Sequence, residues 1–273
     1  YQLVLPPIYM ELSRELNLSY TELGLITTGM AFSFGVSQSV MGPLSDRFGR
    51  KWLILIGQFF FAATTAACGL VSTFWPLLIL QIIGGAFGST LHPVGMALLT
   101  DVASQPQRGK AMGIHGAGGM IGTAIAPVTM VFLTVWFNWR VALVVIGLAG
   151  MVFTVLMSRC LTEPAREEKS KPQRGESRES GAYSYGILAL ILLLFVWITR
   201  SVSNRAYQAF LPTFLISRYE VSLELSGVLV TVYWTFAAGS WLVGGYLADR
   251  FRQYVILWLS YLLTAISLAI MLF

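Results

Sequence analysis

Residues Gly42–Lys51, Gly-Pro-Leu-Ser-Asp-Arg-Phe-Gly-Arg-Lys, separate two long apolar stretches, 23–41 and 52–73. These ten residues hold two glycines, one acid and three bases. No buried strand or core helix tolerates that density of charge between such neighbours. A short charged hairpin between two membrane-spanning helices requires it. Gly42 suits a helix end or a close helix approach, and Gly49 suits a turn at positive φ. Arg47, Arg50 and Lys51 hold the loop in water on the cytoplasmic side. Asp46, alone among bases at a helix end, needs a partner to keep its charge.

The rest of the chain agrees with a bilayer as its solvent. Of 273 residues, 56% are hydrophobic and 11% charged, against about 25% charged in a soluble domain. The net charge of +5 is spread over loops between apolar segments, so it is not a nucleic-acid footprint. Cys68 and Cys160 lie in or at the end of apolar segments, and neither a structural disulfide nor a zinc site is expected. Thirteen of the eighteen Lys and Arg residues fall in the turns 46–51, 102–110, 159–181 and 249–253. Three others, Arg14, Arg140 and Arg218, fall in the opposite loops, and Arg200 and Arg205 fall inside an apolar segment. The base-rich side is therefore the cytoplasmic one.

The decapeptide resembles the loop between transmembrane helices 2 and 3 of the major facilitator superfamily, the large group of secondary transporters. Its Gly-x-Leu-x-Asp-Arg-x-Gly-Arg-Lys pattern returns 203 residues later as Gly245-Tyr-Leu-Ala-Asp249-Arg250-Phe-Arg252, without the second Gly and the Lys. Such a repeat is expected of a family with two similar six-helix halves. The resemblance implies an all-α integral membrane protein of that fold. The chain opens at Tyr1 and stops at Phe273, each within an apolar run. It reads as the end of helix 1 through helix 9, about eight complete helices of twelve.

The expected organisation is an N-terminal transmembrane half at 1–161, a cytoplasmic linker at 162–183 and the start of a C-terminal half at 184–273. The linker mixes five acids and five bases with Pro164, Pro172, Gly175 and serines, a solvated composition. Residues 11–22 read as a polar external loop that closes on a capping box, Ser19–Glu22. Expected helices run about 21–45, 51–72, 75–101, 108–135, 139–161, 183–217 and 223–248, and a further one starts near Gln253. Pro93 should bend the fourth. Arg200, Arg205 and Pro212 interrupt the seventh.

Candidate functional residues form two sets. The resemblance implies a conformational latch made of Gly42, Asp46, Arg47, Gly49, Arg50, Lys51 and Asp101, with Asp249 and Arg250 as its weaker copy. Arg47 and Arg50 would reach Asp101 at the end of helix 4. Asp46 would face the positive N-terminus of a helix in the opposite half. The bland alternative is a loop that only fixes topology. The second set is His92, His115 and Arg200, substrate or proton candidates. Helices 4 and 5 line the central cavity in this fold, and a histidine there can exchange a proton near neutral pH. Either histidine could instead fill a helix contact. An arginine at membrane depth needs an anion, on a neighbour or on a substrate. Arg205, further along the helix, reads as snorkelling to the outer interface. Most tryptophans read as interface belts, and Trp197, Tyr233 and Trp234 as positions that could face the cavity. No acid lies at mid-membrane depth.

The stretches His92-Pro-Val-Gly-Met96 and Gly113-Ile-His-Gly-Ala-Gly-Gly119 resemble the fosmidomycin-resistance-type branch of the superfamily, efflux proteins for small drugs. Gly118-x-x-x-Gly122 matches the close-packing glycines of the antiporter motif of helix 5, but Thr123 stands where that motif has Pro. The expected function is secondary active transport by alternating access, as proton-coupled export of a small organic compound. The rivals are uptake of an organic anion held by Arg200 and a receptor or sensor that keeps the fold without transporting. An intramembrane enzyme is a weaker rival, since His92 and Asp101 lie on opposite faces of one helix. The expected setting is multi-pass in the inner or plasma membrane, with loops 46–51, 102–110 and 162–183 cytoplasmic. The expected partners are a small-molecule substrate, the proton as coupling ion and the lipid bilayer. No nucleic acid, cofactor or metal is expected, and the protein should act as a monomer.

Overall fold

The computed structural model describes residues 4–104, 107–163, 187–250 and 253–272. All their regular structure is helical. A short 3₁₀ turn, Pro6–Ile8, leads into α1 (Tyr9–Leu16), α2 (Tyr20–Phe48), α3 (Arg50–Cys68), α4 (Phe74–Gly88) and α5 (Leu91–Val102). Then follow α6 (Arg108–Trp136), α7 (Trp139–Cys160), α8 (Ile187–Tyr219), α9 (Leu223–Arg250) and α10 (Gln253–Leu272). The expected linker falls almost wholly outside the described residues.

By length and apolar composition, α3, the α4–α5 unit, α6 and α7 can each cross a membrane. Large apolar side chains such as Phe153, Val152, Phe195, Leu192, Leu262 and Leu263 stay exposed on the outside of the bundle. Lipid, not water, is the solvent that such a belt requires.

Three expectations change. Residues 11–16 are not loop but the end of α1, with Leu12 fully buried, and the chain turns at Asn17 in the left-handed region (φ 53°). The capping box at Ser19 is present: the Glu22 N–H donates to the Ser19 hydroxyl and the Ser19 N–H to the Glu22 carboxylate. Second, α2 runs through Gly42 and Pro43 to Phe48, so most of the charged decapeptide is helix. The loop shrinks to Gly49, whose φ of 95° reverses the chain in one residue. Beyond its own helix turn, no packing neighbour lies within 4 Å of where a Gly42 Cβ would be, among the described residues. Third, α8 is unbroken through Arg200, Arg205 and Pro212.

The fourth expected helix divides into α4 and α5 at Ser89–Thr90. The cause lies downstream. Pro93 has no N–H for the carbonyl of Ser89, four residues back, and its ring crowds that carbonyl. Buried hydroxyls hold the break: Ser89 donates to the Ala86 carbonyl at 2.7 Å and Thr90 to the Phe87 carbonyl at 3.0 Å. Gln58 of α3 donates to Thr90 at 3.3 Å.

Packing within the first half depends on missing side chains. A Cβ on Gly147 of α7 would lie 2.5 Å from the Ala66 nitrogen of α3, and one on Gly85 of α4 would lie 2.4 Å from the Met30 carbonyl of α2. Backbones approach that closely only where one partner is Gly. At the end away from the bases, Arg140 joins three elements. It pairs with Glu15 of α1 at 2.9 Å, donates to the carbonyls of Gly69 and Val71 past the end of α3, and covers the Trp139 ring at 4.3 Å.

The two halves meet at this same end. Pro6 and Pro7, Pro127 of α6, Pro212 of α8, and Val230 and Trp234 of α9 converge there. A Cβ on Gly227 of α9 would lie 2.8 Å from the Val131 side chain of α6. Toward the basic end the described glycines of these two helices lose such neighbours. Gly113, Gly116, Gly118, Gly119 and Gly122 of α6, and Gly239 of α9, have no packing neighbour within 4 Å of a built Cβ, among the described residues. The glycines expected to pack helices closely border open space instead.

Candidate functional site

At the basic end the site is built on Arg50. Its side chain is only 12% exposed, so its charge has lost most of its water and needs protein partners. It ion-pairs with Asp101 in the last turn of α5 and reaches Asp46 Oδ1 at 3.6 Å across the Gly49 turn. It also donates to the Ala97 carbonyl. The negative end of the α5 dipole disfavours Asp101, and the guanidinium offsets that. Arg47 lies over the Phe48 ring at 5.5 Å and Lys51 over the Trp52 ring at 5.6 Å.

One further acid takes part. The Glu163 carboxylate, just past α7, accepts the backbone N–H groups of Arg50 at 2.7 Å and Lys51 at 2.8 Å. It thereby caps the positive N-terminus of α3. A Cβ on Gly49 would lie 3.1 Å from its Oε1. Sequence reasoning left Glu163 in the linker. Its only signal was an acid next to a helix end, 112 residues from its partner at Lys51. The side chains of Asp249 and Arg250 lie outside the described residues, as do those of Trp197 and Trp241.

The second site lies between α2 and α8. Thr27, Met30, Ala31 and Phe34 of α2 and Arg205 of α8 line a cavity of about 30 Å³, room for about one water. Phe34 is the central residue of the 29-residue α2. The His92 ring stands edge-on to Phe34, centroids 6.0 Å apart at 79°. His92 is within electrostatic reach of His115 and Arg205. His115 Cε1 sits 3.7 Å from where a Gly95 Cβ would be, so it rests on the face of α5 that carries His92.

His92, His115 and Arg205 thus converge. Arg200 does not line that cavity, although both arginines are exposed. The two arginines are five residues apart, about 140° around a helix of 3.6 residues per turn. The expectation that Arg205 snorkels to the interface gives way to a place on the cavity wall. Depth alone does not separate them, because each is within about one turn of the midpoint of α8; helical phase does. Tyr233 packs against Tyr207 and Trp234, centroids 5.4 and 5.2 Å away. Trp234 reaches the proline contact between the halves, as does Gln208, one turn beyond Arg205. Among the described residues no three His, Cys, Asp or Glu side chains gather to hold a metal.

The Major Facilitator Superfamily sequence profile matches residues 1–273. The chain is 25% identical to the "Probable L-galactonate transporter" of Escherichia coli K12 over 88% of its own length and 56% of that protein's. It is 22% identical to the fosmidomycin resistance protein of the same organism, over 93% of this chain and 63% of the relative. It therefore spans a little over half the length of these relatives. Among solved structures, a bacterial homologue of the human lysosomal transporter Spinster, inward-facing and occupied, superposes with a TM-score of 0.77. That match is at 19% identity over 93% of this chain and 58% of the other. The family and these relatives are transporters, not enzymes. With its apolar helices, this fold is that of a multi-pass membrane protein, and the chain belongs to the Major Facilitator Superfamily.

Proposed function

We propose that the protein is a proton-coupled secondary transporter that exports a small organic compound by alternating access. The observation that carries this is the one-sided meeting of the halves. α6 and α9 come from different halves and pack tightly around Val131 and Gly227, while described glycines nearer the basic end, Gly113 to Gly122 of α6 and Gly239 of α9, border open space. Rocking about such a contact would close the other end and open this one. The base-rich end would be cytoplasmic, and the state described here open to the cytoplasm. Asp46, Arg47, Arg50, Lys51 and Asp101, with Gly42 and Gly49 shaping their backbone and Asp249 and Arg250 as the second copy, would act as the latch. That latch would hold the alternative, outward-open state. His92 and His115 would carry the coupling proton. The protein would act as a monomer in the inner or plasma membrane.

Export is supported by the similarity to the fosmidomycin resistance protein. Uptake of an organic anion is a second reading, supported by the basic character of the cavity around Arg205. Transport by the complete protein in proteoliposomes under an imposed proton gradient separates them. Substrate moving against the proton flow upholds export, and substrate accumulating on the side that the protons enter rejects it. A sensor without transport predicts no movement in either direction.

A further inference from the structure

Arg205 stands two residues past the midpoint of α8 and lines the cavity that faces the middle of α2. That guanidinium keeps its proton at any working pH. His92 lies within electrostatic reach of it and of His115, and a histidine that titrates adds positive charge. Arg205 therefore brings a fixed positive charge to the cavity wall at a depth where the bilayer most penalises charge. Resting on the transport reading but silent on direction, we propose that Arg205 anchors the carboxylate of a small organic anion.

Four features fit that class. The guanidinium fork matches the two oxygens of one carboxylate. The Phe34 ring gives the substrate body an apolar wall opposite the anchor. His92, edge-on to that ring, holds a second nitrogen donor next to the wall. Gln208, one turn along α8, carries an amide at the proline contact next to this site. A substrate held between Phe34 of α2 and Arg205 of α8 touches both halves. Its binding thus acts on the equilibrium between their arrangements.

The test uses the complete purified protein and three acids of different size, lactate, benzoate and glucuronate, each beside its neutral amide. Binding is read from the melting temperature and from tryptophan fluorescence. At least one acid should bind and its amide should not. Arg205→Gln should weaken that binding at least tenfold, and Arg205→Lys should restore part of it. Gel filtration checks that both variants fold, and the Lys variant decides the matter where the Gln variant does not. Binding by none of the acids, equal binding of acid and amide, or retention within twofold in Arg205→Gln overturns the assignment. Counterflow assays keep the two readings apart. An acid that binds through Arg205 but is not carried rejects transport and leaves the site. A neutral cargo carried equally by Arg205→Gln rejects the site and leaves transport.

Discussion

Arg50 is the residue on which the basic end converges. It holds Asp46 and Asp101 from one nearly dry position, and removing one partner of such a pair strands the other charge. Asp46→Asn in the complete protein should lower transport about fivefold or more while leaving membrane insertion unchanged, the scale of a coupling of about 1–3 kcal/mol. Uptake rates and membrane yield measured side by side decide this, and unchanged rates would reduce the site to a topology signal. Gly49→Ala should destabilise the protein by about 1–2 kcal/mol, since a Cβ at φ 95° is strained and Glu163 stands in its path. Its melting temperature in detergent reads that loss. At this scale the sequence was half legible. Arg50, Asp46 and Asp101 are named by a local pattern and a helix end. Glu163 joins them through main-chain N–H groups, and no side-chain pattern records that. Arg205 lines the cavity through its helical phase, which counting depth along the helix does not show.

Helices were the most legible layer, because apolar runs of membrane length bounded by charge leave little choice. The errors fell where Gly and Pro were taken as terminators. α2 passes straight through Gly42-Pro43, while Pro93 breaks its helix a full turn before itself. Pairing between helices was not legible, because it depends on which glycines face a backbone. Gly147 does, so Gly147→Ala should overpack α3 against α7 and cost about 1–3 kcal/mol. Gly118→Ala should cost little, with no packing neighbour near its Cβ. Thermal melts of the two variants compare them directly. The Glu15–Arg140 pair tests the opposite end. Hydrogen bonding from the Trp139 indole first, and then from Arg140, holds the Glu15 carboxylate below its ordinary range. A lowered folded value means stability that is present above the unfolded pKa of about 4.3 and lost as pH falls through the folded one. Glu15→Gln should therefore flatten the acid limb of stability against pH, and an unaltered limb would remove the pair from the account.

At the scale of the molecule, the sequence contains two halves but not their mutual pose, since one sequence must satisfy every state of a cycle. The pose seen here predicts a labelling pattern. Gly118→Cys and Gly239→Cys should react with a membrane-impermeant thiol reagent applied from the basic side. Val131→Cys, 3% exposed at the meeting of the halves, should stay protected. Equal labelling of all three would reject this arrangement as the resting one. The contact that closes the opposite end has a thermal consequence of its own. Pro6, Pro7, Pro127 and Pro212 bring rings without N–H groups to it, so parting there wets apolar carbon more than it severs hydrogen bonds. Wetting apolar carbon raises heat capacity. If that parting limits turnover, transport rate plotted against reciprocal temperature should curve rather than run straight.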